Sequence, residues 1–368
     1  MPFSAARATD DFAESQPAMT TAPERLPVSV LTGFLGSGKS TLLGRLLVHP
    51  AMAETAVIVN EFGEIGIDHA LIAQSDEDTV LMNSGCLCCT IRGDLVRTLG
   101  DLMARRQRGA VSRFQRVVVE TTGLADPAPI LHTLMADATL LNHFRLDGVI
   151  ATVDAVNGAG TLDGHRESIK QAAVADRLLI TKTDLAELPA IDALARRLQS
   201  INPAATLHYV RHGEIAPDHL FDAGLYNPAT KTADAQKWLN EQAYEDNHSH
   251  QHGHDPNRHD DAIRAFCLTF EAPFEWESLS YWLELLATYR GDDLLRVKGL
   301  FDVTGIDRPV VVHGVQHVFH PPATIDRWPD GDRRSRVVFI TRNLDHDTIR
   351  QTLAGVNEAA EAPGQPDR

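Results

Sequence analysis

A glycine-rich segment near the start of the chain has the residue types of a phosphate-binding loop. Residues 33–41, Gly-Phe-Leu-Gly-Ser-Gly-Lys-Ser-Thr, fit the pattern G-x-x-x-x-G-K-[ST] between an apolar run and a helical pattern. Glycines let backbone N–H groups surround phosphate oxygens, the lysine bridges the β- and γ-phosphates, and the serine hydroxyl binds Mg²⁺. We therefore expect nucleotide binding here, with Lys39 also catalytic and Ser40 a Mg²⁺ ligand, by the set Gly33, Gly36, Ser37, Gly38, Lys39, Ser40 and Thr41.

A second motif indicates which base the nucleotide carries. Thr181-Lys182-Thr183-Asp184 follows the apolar run 177–181. The Asp184 carboxylate could accept hydrogen bonds from the N1–H and N2–H₂ groups of guanine, and Lys182 could lie along the base plane. Guanine-binding motifs usually have Asn where Thr181 stands. The motif favours GTP, and the alternative is an ordinary strand-to-turn transition with a solvated Lys and Asp.

An acidic residue ends another apolar run, 116–120, and a glycine follows shortly after. Glu120 stands where a P-loop fold needs its second acid on the Mg²⁺ side, and Gly123 where a backbone N–H faces the γ-phosphate. Glu120 replaces the commoner Asp, which suggests a metal contact through water. The alternative is a strand-end Glu that faces solvent.

Three of the four cysteines are Cys86, Cys88 and Cys89. Thiolates are soft ligands that suit Zn²⁺, Co²⁺ or Cu⁺, but a closed structural zinc site needs four ligands. We expect two or three thiolates and an incomplete shell that can release its ion. A buried structural cluster or a redox pair is the alternative. Cys267, inside an alternating strand, is expected to be a small core residue.

Two further segments bear on metal binding. Residues 60–68 place three carboxylates on a glycine-bearing loop, which is expected to reorder with nucleotide state, unless it is a plain acidic surface loop. A run of imidazoles could collect Zn²⁺, Co²⁺, Ni²⁺ or Cu²⁺, or belong to a solvated linker, and comprises His248, His250, His252, His254 and His259. The later histidines are expected at the surface or at an interface: His313, His317 and His320.

The elements that position these groups alternate between strand and helix. Strands are predicted at 26–31, 56–60, 79–82, 116–120, 148–153 and 177–181, and helices near 91–107, 128–138, 167–175 and 188–200. Continuous apolar strands imply a sheet covered on both faces, hence a doubly wound, mostly parallel α/β domain. The predicted organisation is a disordered extension at 1–26, this domain at 27–228, a His-rich linker at 229–262, a smaller α+β domain at 263–360 and a flexible tail at 361–368.

Composition limits the classes of partner. The chain has 368 residues, with 34 Lys and Arg against 50 Asp and Glu, a formal net charge of −16. This balance argues against nucleic acid or an anionic membrane as a general partner. No apolar run is long enough to span a bilayer and no secretory leader is evident, so a cytoplasmic protein is expected.

The motifs as a set resemble the CobW-type P-loop GTPases, and most closely the YjiA branch of zinc-responsive members. The resemblance covers about 27–360 and rests on GFLGSGKST, NEFGEIGID, GCLCC, ETTGLADP, DGVIATVDA and ADRLLITKTD. It implies a GTPase domain followed by a roughly ferredoxin-like module, and metal-dependent GTP hydrolysis that serves Zn²⁺, Co²⁺ or Fe trafficking. It also implies a switch containing Glu61, a metal candidate, and Glu64, a catalytic candidate. Some relatives have a Glu where Val59 stands here.

The function expected from the sequence is a GTPase that couples GTP binding and hydrolysis to transfer of a transition metal, foremost zinc, to a client protein. Turnover should be slow, because no Arg finger or Gln is evident in cis. A homodimer is compatible with this expectation. Alternatives are cobalt delivery for cobalamin synthesis, activation of another metalloenzyme, a P-loop small-molecule kinase and a His-rich metal store.

Overall fold

A computed structural model describes residues 25–59, 81–83, 91–223, 239, 242–245, 263–329 and 331–361. These residues form two compact units, the first at 25–223 and the second from 239 onward. None of the helices in these ranges has the length and hydrophobicity that a bilayer crossing requires.

Seven parallel strands form the sheet of the first unit. In chain order they are β1 (Leu26–Gly33), β2 (Thr55–Val59), β3 (Leu81–Asn83), β4 (Arg116–Glu120), β5 (Phe144–Asp154), β6 (Arg177–Thr181) and β7 (Thr206–Tyr209). Their order across the sheet is β3-β2-β4-β1-β5-β6-β7. The inner strands have no polar alternation because both of their faces are buried, as the continuous apolar runs predict.

Helices connect these strands. They are α1 (Lys39–Leu47), α2 (Ile91–Gln107), α3 (Ala128–Ala136), α4 (Ala138–Leu141), α5 (Gly158–Gly164), α6 (Arg166–Val174) and α7 (Leu188–Ile201), with 3₁₀ turns at Pro50–Met52 and Pro217–His219. The doubly wound parallel α/β architecture predicted from the sequence is therefore confirmed.

Three elements of this unit are absent from the sequence prediction, namely α4, α5 and β7, and strand β5 begins earlier than predicted. Strand β7 is a four-residue edge strand without a buried face, and α5 contains three glycines, so neither has a clear periodic signal. Strand β5 begins at Phe144 instead of 148 because its first residues alternate between apolar and polar side chains.

The second unit is built on an antiparallel sheet. Its elements are α8 (Gln242–Glu245), β8 (Ile263–Phe270), α9 (Trp276–Arg290), a 3₁₀ turn (Gly291–Asp293), β9 (Leu294–Val303), β10 (Ile306–Val315), β11 (Val318–Phe319), β12 (Ala323–Thr324), β13 (Ser335–Arg342) and α10 (His346–Glu361). The strand order is β11-β10-β9-β13-β8, with β12 beside β10. Strand β13 lies between β8 and β9, a split β-α-β unit of the ferredoxin-like kind.

The two faces of this antiparallel sheet differ in chemistry. One face packs with α9 and α10 into an aromatic-rich core that includes Phe266, Phe301, Phe339 and Trp282. The alternate residues of the same strands, on the other face, include four basic side chains that are all buried, namely Arg296, Lys298, His313 and Arg336.

The structure departs from the sequence analysis at three places in this unit. His313 is only 4% exposed rather than at the surface, and its partner across the sheet on β9 is Lys298. Cys267 is half-buried rather than a core residue, because it alternates with Phe266 and Leu268 and so points away from the aromatic core. The predicted linker also contains a packed part, since Tyr244 on α8 is buried and this helix lies beside β8.

Candidate nucleotide-binding site

The predicted nucleotide residues meet at the carboxyl edge of the parallel sheet. The loop after β1, the end of β4, the end of β5 and the end of β6 are adjacent there, because β1 lies between β4 and β5, and β6 is the next strand. In open α/β sheets, ligands bind in the crevice outside the carboxyl ends of the strands. The topology therefore brings residues that are about 150 positions apart in the sequence to one site.

The P-loop (residues 33–41) is fixed from behind by threonines of the neighbouring strands. The Ser37 and Thr152 hydroxyls are 2.6 Å apart, and the Thr181 hydroxyl donates to the Ser37 carbonyl at 2.6 Å. Gly33 has a φ of 140°, and a Cβ there would come within 2.2 Å of Thr152 Oγ1. Only glycine fits at this position, which explains why the loop begins with one.

Lys39 lies inside the loop. Its ammonium donates to the Gly33 carbonyl at 2.8 Å and to the Phe34 carbonyl at 3.2 Å. Burial lowers the pKa of Lys39, and the nearby Glu120 carboxylate opposes that shift. The loop carbonyls thus hold the lysine ammonium inside the P-loop.

Ser40 and Glu120 meet as the sequence predicts. The Ser40 hydroxyl donates to Glu120 Oε1 at 3.0 Å, and Glu120 ends β4 next to the P-loop. A hydroxyl and a carboxylate are hard oxygen donors, the type that Mg²⁺ binds beside substrate phosphates. The pair therefore fits a Mg²⁺ ion. Thr41, the last residue of the loop motif, is exposed on the first turn of α1.

Gly123 lies against the P-loop. A Cβ on Gly123 would come within 2.7 Å of the backbone N and Cα of Leu35, so a larger residue would push the two loops apart. The Thr121 hydroxyl donates to Thr32 Oγ1 at 2.9 Å, which ties the start of the same segment to β1. The glycine is therefore placed where a γ-phosphate bound by the P-loop would be within its reach.

At the guanine end, Lys182 is held by Asp154. Lys182 has a left-handed backbone (φ 57°), and its ammonium donates to Asp154 Oδ2 at 2.6 Å. Burial alone would raise the pKa of Asp154, but hydrogen bonds from Lys182, Asn157 and the Val156 N–H together lower it. The carboxylate is therefore ionised at neutral pH and fixes the lysine side chain.

Asp184 is oriented by His212, in the segment after β7. The His212 N–H donates to Asp184 Oδ1 at 3.1 Å, and its Nδ1 lies 3.2 Å from Asp184 Oδ2. The hydrogen bond from this backbone N–H lowers the pKa of Asp184. Thr181 has a different environment, since its hydroxyl is directed to the P-loop carbonyl of Ser37, which joins the base-binding motif to the P-loop.

Three residues of this site were missed by sequence reasoning: Thr152, Asp154 and His212. A polar residue at the end of an apolar strand is the signal for Asp154, since it closes Gly-Val-Ile-Ala-Thr-Val-Asp. Thr152 and His212 give no local signal, because their roles depend on which strands are neighbours.

The predicted transition-metal ligands lie outside the described residues. These are Cys86, Cys88, Cys89, Glu61, His248, His250, His252 and His254, and the same holds for Glu64 and His259. Strands β2 and β3 end at Val59 and Asn83, so the chain leaves the carboxyl edge of the sheet just before the carboxylate and cysteine segments. Among the described residues, no group of three metal-ligating side chains is assembled.

Comparison with known proteins agrees with this geometry. Residues 27–209 match the family model "CobW/HypB/UreG, nucleotide-binding domain", and residues 263–357 match "Cobalamin synthesis protein cobW C-terminal domain". This chain belongs to the CobW family. The zinc chaperone YjiA of Escherichia coli is 33% identical over 334 residues, which cover 90% of this chain and 99% of YjiA.

Two further relatives extend the match within the CobW family. The zinc chaperone CobW of Pseudomonas aeruginosa is 29% identical over 350 residues, which cover 89% of this chain and 91% of that protein. The crystal structure of Zn(II)-bound YjiA GTPase from E. coli superposes with a TM-score of 0.66 at 28% identity, over 90% of this chain and 99% of that one. Both units of the fold thus have counterparts in a solved CobW-family structure.

Proposed function

We propose that this CobW-family protein hydrolyses GTP and couples GTP binding and hydrolysis to the transfer of Zn²⁺ to a client protein. The observation that carries the proposal is the convergence of Lys39, the Ser40–Glu120 pair and the Lys182–Asp184 motif at one sheet edge, from which the cysteine segment also departs. Two relatives are named zinc chaperones, which favours zinc over cobalt as the cargo.

On the nucleotide side, each group has a defined task. Backbone N–H groups of the P-loop and the amino end of α1 bind the phosphates, and Lys39 neutralises charge between the β- and γ-phosphates. A Mg²⁺ ion held by Ser40, with Glu120 behind it, would offset the negative charge that develops on the phosphate oxygens during hydrolysis. Asp184 selects guanine because adenine has no donors at N1 and N2.

On the metal side, the cysteines supply the chemistry of a releasable site. Cys88 with Cys86 or Cys89 offers thiolates to Zn²⁺, and Glu61 adds a harder ligand. The 60–68 segment begins directly after β2, and β2 pairs with β4, the strand that ends at Glu120. We infer that GTP–Mg²⁺ draws this segment and the cysteines into one arrangement, and that hydrolysis relaxes it and lowers the affinity for the ion.

The test measures GTP hydrolysis by the full chain, first metal-free and then with one equivalent of Zn²⁺ or Co²⁺. The wild type is compared with Cys88→Ala and with Cys267→Ala, a matched control whose cysteine lies on β8 of the second unit. We expect a metal-dependent change of turnover in the wild type and in Cys267→Ala, and none in Cys88→Ala.

Two results would contradict the proposal in different ways. Turnover that ignores metal in all three proteins would leave a GTPase without metal coupling. An absolute need for a small acceptor substrate would instead identify a P-loop kinase, and turnover of ATP at least as fast as of GTP would remove the guanine preference; either result removes the GTPase assignment.

A further inference from the structure

Helix α6 contacts both segments that surround the γ-phosphate position. The His165 ring, directly before α6, stacks on the Phe34 ring of the P-loop with centroids 4.4 Å apart. Farther along the helix, Lys170 and Gln171 reach residues 121–126, which we call the γ-phosphate loop. Helix α6, with the residue that precedes it, therefore contacts both the P-loop and the γ-phosphate loop, to which Gly123 belongs.

The Gln171 side chain is the central contact. It is 2% exposed, and its Nε2 donates to the Ala125 carbonyl at 3.0 Å and to the Gly123 carbonyl at 3.3 Å. Both hydrogens of one buried amide are thus used on the same loop. Beside it, the Lys170 ammonium lies 2.5 Å from Asp126 Oδ2, and Asp126 Oδ1 in turn accepts the Ala128 N–H at the start of α3.

This contact determines how the loop faces the P-loop. In a trans peptide the C=O and the following N–H point in opposite directions. Because the Gly123 carbonyl points to α6, the Leu124 N–H points away from α6. Gly123 itself is pressed between the Gln171 amide and the Leu35 backbone. Rotation of the Gly123–Leu124 peptide would break the bond to Gln171.

The surroundings of Gln171 and Leu35 are only partly filled. A cavity of about 210 Å³ adjoins Leu35 and Gln171, and polar side chains of Asn157, Thr161 and Ser168 line it as well. Leu35 is 58% exposed, and Leu124 is 55% exposed. Open space therefore lies next to Leu35 and Gln171, and the hydrogen bonds from Gln171 add to the packing that keeps Gly123 against the P-loop.

We propose that Gln171 is a positioning residue that holds the γ-phosphate loop against the P-loop and thereby sets the preference of the site for GTP over GDP. The inference rests on the GTP site of the proposed function and adds a residue that does not touch the nucleotide. Only GTP has a phosphate that meets this loop, so loss of the Gln171 bonds should weaken GTP and spare GDP.

The experiment measures Kd for fluorescent GDP and for a fluorescent, non-hydrolysable GTP analogue with Mg²⁺ present, together with kcat and KM for GTP. Gln171→Met keeps the side-chain length and removes the donors. We expect the GTP analogue to bind about tenfold more weakly and kcat to fall, while the Kd of GDP stays within about twofold of wild type.

Asn202→Leu is the matched control. Asn202 is also 2% exposed, and its amide donates at 2.8–3.0 Å to the Ala172, Ala173 and Ala175 carbonyls at the C-terminal end of α6, so that none of these hydrogen bonds involves the γ-phosphate loop. Its loss should lower Tm without changing the ratio of the two Kd values. If either buried variant fails to fold, Lys170→Met tests the same loop, because it removes the partly exposed ion pair with Asp126. We expect it to change the ratio of the two Kd values by about twofold to threefold.

The outcomes separate this inference from the proposed function. A ratio unchanged in Gln171→Met and Lys170→Met, or an equal weakening of both nucleotides, would overturn the positioning role while leaving a GTPase. A wild type with no affinity for either guanine nucleotide would overturn both. A change in the ratio confined to the Gln171 and Lys170 variants, and absent in Asn202→Leu, would support the positioning role.

Discussion

The phosphate end and the guanine end of the site are held in different ways. At the phosphate end, backbone carbonyls and buried hydroxyls fix Lys39 and Ser37. At the predicted guanine end, Asp154 forms an ion pair with Lys182, whose side chain is 34% exposed, and the His212 backbone N–H donates to Asp184. Backbone geometry tolerates few substitutions, whereas half-exposed charges can be exchanged and screened. Substitutions at the phosphate end should therefore nearly abolish turnover, whereas substitutions at the guanine end should weaken nucleotide binding by degrees.

Lys39→Ala is the substitution that tests the phosphate end, and it has the largest expected effect. Loss of the only ammonium inside the described part of the P-loop should lower kcat for GTP about 100- to 1,000-fold, because the developing phosphate charge loses its closest cation. Single-turnover hydrolysis measures the effect. Arg45→Ala, which removes an exposed cation from the same helix, should retain wild-type turnover. Unchanged turnover in Lys39→Ala would refute the P-loop assignment.

At the guanine end, Asp184→Ala should have a large but selective effect. The two hydrogen bonds to guanine N1 and N2 disappear, so GTP should bind about 10- to 100-fold more weakly while ATP binding stays weak and unchanged. Competition binding of GTP against ATP measures the ratio of the two affinities, which should fall towards one. The exposed Asp192 on α7 provides a control, since Asp192→Ala should keep the preference. Equal loss for both nucleotides would mean that Asp184 supports the fold instead of the base.

A smaller effect is expected from Asp154→Asn, which leaves Lys182 without its ionic partner. GTP and GDP should both bind about threefold to tenfold more weakly, because Lys182 loses its position along the base. The difference from wild type should shrink at high salt, since the pair is partly exposed. Isothermal titration with each nucleotide, at low and high salt, measures both effects.

The pH dependence of the Asp154 contribution follows from its lowered pKa. A carboxyl whose folded pKa lies below its ordinary 3.8 contributes stability that is fully present above pH 3.8 and is lost as the pH falls through the folded value. The affinity ratio between wild type and Asp154→Asn should therefore be constant between about pH 6 and pH 8. A ratio that changes in this window would show that another group holds Lys182.

Much of the nucleotide site could be predicted from the sequence because its determinants are local. The P-loop lies on consecutive residues, Glu120 and Thr181 end apolar strands, and each motif requires only a strand before it. Short or polar elements gave no such signal. Strand β7 carries the segment with His212, and α5 follows Asp154, yet neither has a periodic pattern, so the residues that support the guanine end could not be placed.

In the second unit too, the environment of a side chain that depends on tertiary contacts could not be predicted from the sequence. The α+β class of this unit could be predicted from the sequence, but the burial of His313, which pairs with Lys298 across the sheet, could not. A histidine in isolation resembles a surface residue because imidazole is polar and titrates near neutral pH. Pairing register across the sheet decides its environment, and register is a property of the assembled strands.

The sequence by itself determined the doubly wound sheet and the phosphate loop, and it predicts the preference for guanine, because hydrophobic periodicity and short motifs act over a few residues. Only the tertiary structure decided that Thr152 and Thr181 brace the loop, that Asp154 and His212 orient the guanine readers, and that Gln171 reaches Gly123 from 48 residues away. The physical reason is the strand order, which places β5 and β6 beside the P-loop. That order cannot be read from the spacing of residues along the chain.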